Sequence, residues 1–181
     1  MNSNSLKETG YIKMNKSEIN KYLLAIHAKL ENIQVKGEIC IYGGTVMCLV
    51  FDARPGTKDI DAVFEPPAII RRIAYQIAEE NNLDENWLND AVKGFVVDHP
   101  RQVLLDYPFL KVFYPDPEYL LAMKALSSRF DSADKNDIIY LINRLNIRNT
   151  GEVLDILEKY YPRGRIKPVT QFFIEEIFQE M

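Results

Sequence analysis

Two aspartates separated by one residue, Asp59-Ile60-Asp61, are the residues whose types and spacing point most directly to chemistry. On a strand, residues i and i+2 face the same way, so both carboxylates would reach a shared cation. Two like charges aimed together beside apolar neighbours need a counterion, although such a pair also occurs on plain solvated strand faces. A second signal, Gly43-Gly44-Thr45, lies upstream at a strand-to-helix transition. Glycines there remove side chains and the helix start adds positive dipole, so backbone amides and the threonine hydroxyl can approach an anionic group. Taken singly, the glycine pair is an ordinary turn. Taken with the aspartates, it implies a short buried helix that returns the chain and lays the Asp59-Asp61 strand beside the strand entering Gly43-Gly44. Phosphates at the glycine turn would then lie near metal at the carboxylates, as two-metal phosphoryl and nucleotidyl transfer requires.

The elements that must position these residues follow from periodicity and turn chemistry. Residues 1–15 are polar and aperiodic and read as a loose leader, part of which docks elsewhere. Ser17 is the expected N-cap of a first helix, with Asn20 in the third helical position. Ile19, Leu23, Leu24, Ile26, Ala28 and Leu30 form its buried face, and His27 has a structural place within it. A strand is expected over 38–42, a buried helix over 45–51, a turn over 52–56 and a second strand over 58–64. Pro66-Pro67 opens another helix, with Ile69, Ile70, Ile73, Ile77 and Ala78 at core spacing. The stretch 87–95 carries no assignment; Trp87 with Asn89-Asp90 reads either as a pocket lining or, preferably, as a buried tryptophan anchoring a turn. Strands over 102–105 and 109–114 suggest a hairpin or an irregular pair. Helices over 116–129, 135–145, 152–160 and 170–180 follow as a C-terminal cap.

The whole chain of 181 residues is long enough to bury one core without disulfides, and 47% hydrophobic with 27% charged residues is an ordinary globular balance. A net charge of −4 excludes coating nucleic acid or membrane by bulk electrostatics, so an anionic ligand must be met locally. Cys40 and Cys48 read as reduced core thiols. No apolar run reaches the roughly 18 residues of a membrane span, and no signal-peptide pattern opens the chain, so no membrane partner and a cytoplasmic location are expected. The expected fold class is α/β (α+β): a small mixed sheet flanked by helices in one domain over 16–181, with 116–181 as the helical cap.

Gly43-Gly44-Thr45-Val46-Met47, then Arg54, Thr57 and Asp59-Ile60-Asp61, resemble the signature of the DNA polymerase β nucleotidyltransferase superfamily, and most closely its minimal, AbiEii-like branch. The chain departs from that pattern in having two residues instead of one between Arg54 and Thr57. The resemblance continues through 87–94, 117–124 and Arg129 to Asp134-Lys135-Asn136-Asp137-Ile138. It implies a nucleotidyltransferase fold using Mg²⁺ or Mn²⁺ held by Asp59 and Asp61, with an NTP bound by Gly43, Gly44, Thr45 and Arg54. It also implies that Lys124, neutralising phosphate, and Asp137 complete the catalytic set. A tRNA or protein acceptor, an antitoxin partner and a role as the toxin of a toxin–antitoxin or phage-defence pair follow from the same resemblance. From residue type alone, Lys124 is equally a solvated helix lysine, Arg129 a surface partner for Asp134 or Asp137, and Asp137 a first-turn acid. Polymerases of the superfamily bring a third carboxylate from a later strand. Asp106 sits beside the turn residues Tyr107-Pro108 and Asp116 reads as a helix N-cap, so neither is assigned to the site. The alternative reading is a catalytically inactive nucleotidyltransferase-like module that binds nucleotide or protein.

Overall fold

The computed structural model describes residues 13–127 and 132–181. Most of the leader and Arg129 therefore lie outside the described residues.

The first helix, α1 (Lys16–Asn32), starts two residues earlier than its expected cap allows. Asn15, in extended backbone, accepts a hydrogen bond from the Glu18 amide at 3.0 Å, and the Glu18 carboxylate accepts from the Asn15 amide at 2.8 Å. This reciprocal pair satisfies two of the helix's orphan donors, and so Asn15 rather than Ser17 is the cap. Ile19, Leu23, Ile26 and Leu30 are fully buried, whereas Leu24 is turned outward.

Strand β1 (Gly37–Ile41) runs into α2 (Gly43–Leu49), and β2 (Ile60–Glu65) returns antiparallel to β1 with Ile41 opposite Ala62 and Ile39 opposite Phe64. Helix α3 (Pro67–Asn81) follows, then a two-residue strand β3 (Leu88–Asn89) parallel to β2. The hairpin is formed by β4 (Arg101–Asp106) and β5 (Leu110–Pro115), with a register shift between Val103 and Leu105; β5 lies parallel to β1. The result is a five-stranded mixed sheet in the order β3-β2-β1-β5-β4.

One face of this sheet is covered by α1 and α3. Ile39, Ile41, Ala62, Phe64, Leu110 and Val112 share that face by register and are buried. Gly37 belongs there because a Cβ would stand 2.9 Å from Leu30 Cδ1 and 3.3 Å from Ile70 Cδ1, between the two helices. Each fully buried aliphatic side chain contributes roughly 1.5–3 kcal/mol. The period-2 alternation then puts Glu38, Cys40, Asp61, Val63 and Glu65 on the opposite face.

The chain passes from β5 into a helical cap of α4 (Pro117–Ser127), α5 (Ser132–Arg144), α6 (Thr150–Tyr160) and α7 (Pro168–Glu180). Helix α4 is its centre, packed on α5, α6 and α7 and buried from Tyr119 to Ala125. His99 locks the cap to the sheet: its ring stacks on Tyr119 at 3.8 Å, its Nε2 lies 3.3 Å from the Tyr42 hydroxyl, and its Nδ1 lies 2.7 Å from the Val97 carbonyl. A mixed sheet with helices on one face and a helical cap at its end is the α+β architecture of a nucleotidyltransferase-like fold.

Trp87 is buried and donates its indole N–H to the Ala74 carbonyl at 2.9 Å, so it anchors the turn before β3. Asn89 and Asp90 are held locally, by the Ala91 amide at 3.1 Å and by Arg71 at 2.5 Å. Cys40 and Cys48 are both free and buried, as their apolar settings imply. Among the described residues, no helix is long and apolar enough to cross a membrane.

Candidate active site

The glycine turn and the aspartates meet because β1 and β2 are neighbours. The Tyr42 amide donates to the Asp61 carbonyl at 2.8 Å, which continues the ladder to the last residue before Gly43. Gly43 has φ of +57°, a left-handed conformation that costs a side-chain-bearing residue about 1 kcal/mol or more, and a Cβ there would stand 3.3 Å from Asp61 Oδ2. Gly44 has no room for a side chain either: a Cβ would lie 2.9 Å from both Arg54 Nη1 and Thr57 Oγ1. Both glycines are thus required by what crowds them. Helix α2 has only seven residues, so the bare backbone contributes more to this turn than any accumulated dipole.

Asp59 precedes β2 instead of lying within it, and its backbone is pinned from two sides. The hydroxyls of Thr45 and Thr57 both donate to the Asp59 carbonyl, at 3.2 and 3.1 Å. Thr45 is buried and does not line the cleft, so its hydroxyl positions Asp59 and is turned away from any ligand there. The leader contributes as well. Met14 is buried and forms an antiparallel bridge with Thr57 through bonds of 2.7 and 2.9 Å, bracing the loop that carries Arg54 and Thr57.

A cleft of about 780 Å³ opens beside these residues. Its walls include Gly43, Gly44, Arg54, Asp59, Asp61, Lys124 and Asp137, which is the expected set with the exception of Thr45. Lys58 and Lys13 add positive charge to the same cavity. Asp137 is only 2% exposed and accepts from Arg54 Nε at 2.7 Å, from Arg54 Nη2 at 2.5 Å and from Lys124 Nζ at 2.5 Å. Lys124, 6% exposed, also reaches Asp134 Oδ1 at 3.2 Å. This network joins α4, α5 and the Arg54 loop across the cleft. A buried carboxylate shared by two cations satisfies the desolvation cost that either ion alone would incur. Lys124 is therefore not the solvated surface lysine its residue type allows, and Asp137 does more than favour a helix start.

Asp106 pairs with Lys111 at 3.3 Å, and Asp116 accepts from Gln102 at 2.6 Å; neither lines the cleft. Among the described residues, no three His, Cys, Asp or Glu side chains converge as a metal cage. The donor set fits Mg²⁺ in a different way. Asp59 and Asp61 provide hard oxygens, and the bare Gly43 leaves space beside Asp61 Oδ2. Magnesium is commonly held by one or two carboxylates, with water and substrate phosphate completing its octahedron.

Part of the cleft lining is apolar. Ala91, Val92, Phe95 and Met123 line it, the first two within a 3₁₀ turn (Ala91–Gly94) that follows β3. Sequence reasoning left this stretch unassigned because four residues of 3₁₀ helix carry no periodicity. The signal in the sequence is Phe95, a large aromatic directly after a glycine.

No curated protein and no solved structure matches the chain. A family model does, over residues 21–172, a span that takes in the glycine turn, both aspartates and the network on the cap. The chain belongs to the family described as nucleotidyltransferase of unknown function (DUF6036).

Proposed function

We propose that the cleft binds a nucleoside triphosphate with Mg²⁺ or Mn²⁺ and transfers its nucleoside monophosphate to a hydroxyl of a tRNA or protein acceptor. The acceptor oxygen bonds to the α-phosphorus, the bond to the bridging oxygen breaks, pyrophosphate leaves, and the hydroxyl proton passes to solvent. The observation that carries this reading is the convergence of Asp59, Asp61, Gly43 and Gly44 on one cleft whose remaining polar wall holds Arg54, Lys58 and Lys124. Asp59 and Asp61 hold the metal, which supplies charge neutralisation and a more acidic acceptor hydroxyl. The glycines admit the triphosphate to the backbone, and Arg54 with Lys124 offsets its charge. Asp137 keeps both cations aimed inward.

The buried Lys124–Asp137 pair also supports placement in the AbiEii-like branch, hence a toxin role with an antitoxin protein as partner. The rival reading, a module that binds nucleotide or protein and transfers nothing, is favoured by the two-carboxylate donor set. Incubation with each of four labelled NTPs, Mg²⁺ and total cellular RNA and protein separates them. Label should enter one acceptor class with wild type and be lost with Asp61→Ala or on chelation by EDTA. No incorporation with any NTP, or equal incorporation by Asp61→Ala, overturns the enzyme reading.

A further inference from the structure

We propose that Phe95, with Val92 and Met123, forms the subsite that takes the nucleobase of the bound nucleotide, Phe95 stacking on its face; this rests on the nucleotidyl-transfer reading of the same cleft. The cavity lining is mixed in character: glycines and aspartates suited to phosphate and metal, together with aliphatic side chains and one aromatic ring. Phe95 lines the cavity and is 50% exposed, so it is not packed away in the core.

Its backbone is held in place. The Phe95 amide donates to the Val92 carbonyl at 2.9 Å, and its carbonyl accepts from the Tyr161 hydroxyl at 3.1 Å. Two residues on, the Val97 amide donates to the Tyr119 hydroxyl at 3.0 Å. A half-exposed aromatic on backbone tied to the cap is a preorganised platform instead of a collapsed core residue. The connection to the metal end is short in sequence: Asn89 pairs with Asp61 in the sheet, and the 3₁₀ turn begins two residues later. The side chains of Ala91, Val92, Phe95 and Met123 bring no hydrogen-bonding group to the base edge, so the subsite recognises the π-face that every base has.

Calorimetric titration of wild type, Phe95→Ala and Phe95→Trp with ATP and with inorganic triphosphate, both with Mg²⁺, tests this. Wild type should bind ATP more tightly than triphosphate. Phe95→Ala should weaken ATP roughly tenfold, the loss of one base–aromatic stack, and leave triphosphate unchanged. Phe95→Trp should retain ATP affinity. If Phe95→Ala leaves ATP binding unaltered, or weakens both ligands alike, the base subsite is overturned and nucleotidyl transfer stands. If wild type binds neither ligand, the nucleotidyl-transfer reading itself is overturned, and the subsite with it.

Discussion

At the residue scale, the consequential contact is Asp137 between Lys124 and Arg54. Lys124 has 7% of its side chain exposed and, if the carboxylate is removed, keeps Asp134 at 3.2 Å but loses its shorter contact. Breaking a buried ion pair from one side typically costs 3–5 kcal/mol, and Arg54, with 22% exposure, moderates it. Asp137→Ala should therefore lose about 3 kcal/mol of stability in urea unfolding, together with NTP incorporation. Asp61 behaves differently. It lines the cleft beside Gly43, so Asp61→Ala should abolish incorporation while the protein still unfolds cooperatively in urea.

At the element scale, the strand–turn–helix around Gly43-Gly44 is crowded by neighbours on two other segments, Asp61 on β2 and Arg54 and Thr57 on the loop, and Met14 on the leader braces that loop through Thr57. Gly44→Ala would push a methyl into Arg54 and Thr57, and overpacking of this kind costs typically 1–3 kcal/mol. It should lower the thermal midpoint and incorporation together, whereas Gly164→Ala, with nothing within 4 Å of the added carbon, should leave both unchanged. The cap of α1 allows a cleaner measurement. Asn15→Ala removes the side-chain acceptor of the Glu18 amide, leaves the backbone bond to the Glu18 carboxylate, and should cost about 1 kcal/mol in denaturant unfolding. Because Met14 adjoins that cap and bridges Thr57, a larger loss accompanied by weaker nucleotide binding would reveal coupling between the leader and the cleft.

At the scale of the whole molecule, sheet and cap meet through an aromatic joint of Tyr42, His99, Tyr119 and Tyr161. Burial pushes the Tyr42 and Tyr161 hydroxyls well above the usual phenol range, so they stay protonated and keep their hydrogen bonds. Burial also pulls the His99 imidazole below its ordinary value of 6.5, partly offset by its bond to the Val97 carbonyl. Between pH 6.5 and that lower folded value, the unfolded chain takes up a proton that the folded chain refuses. The contribution is thus complete above 6.5 and is lost as the pH falls through the folded value. Unfolding free energy measured from pH 7.5 to pH 5 should fall less steeply in His99→Phe than in wild type. Parallel slopes would show that His99 does not titrate in this joint.

What the sequence determined by itself was local. Glycines before a helix, an alternating Asp-Ile-Asp, and periodic apolar faces on α1 and α3 specify their own conformations through backbone sterics and burial, so the mixed sheet and the adjacency of the glycine turn to Asp61 were legible. Local signals fail where partners are distant. Thr45, adjacent to the glycines, looked like a phosphate ligand, but a carbonyl 14 residues away captured its hydroxyl. Asn15 outcompeted Ser17 because Glu18 was in place to reciprocate. The bonding of Lys124 and Arg54 to one carboxylate, 83 residues from Arg54, and the turning of Phe95 into the cleft were decided only by tertiary structure. Such contacts depend on how the cap docks on the sheet, and no periodicity or spacing within a segment encodes that docking.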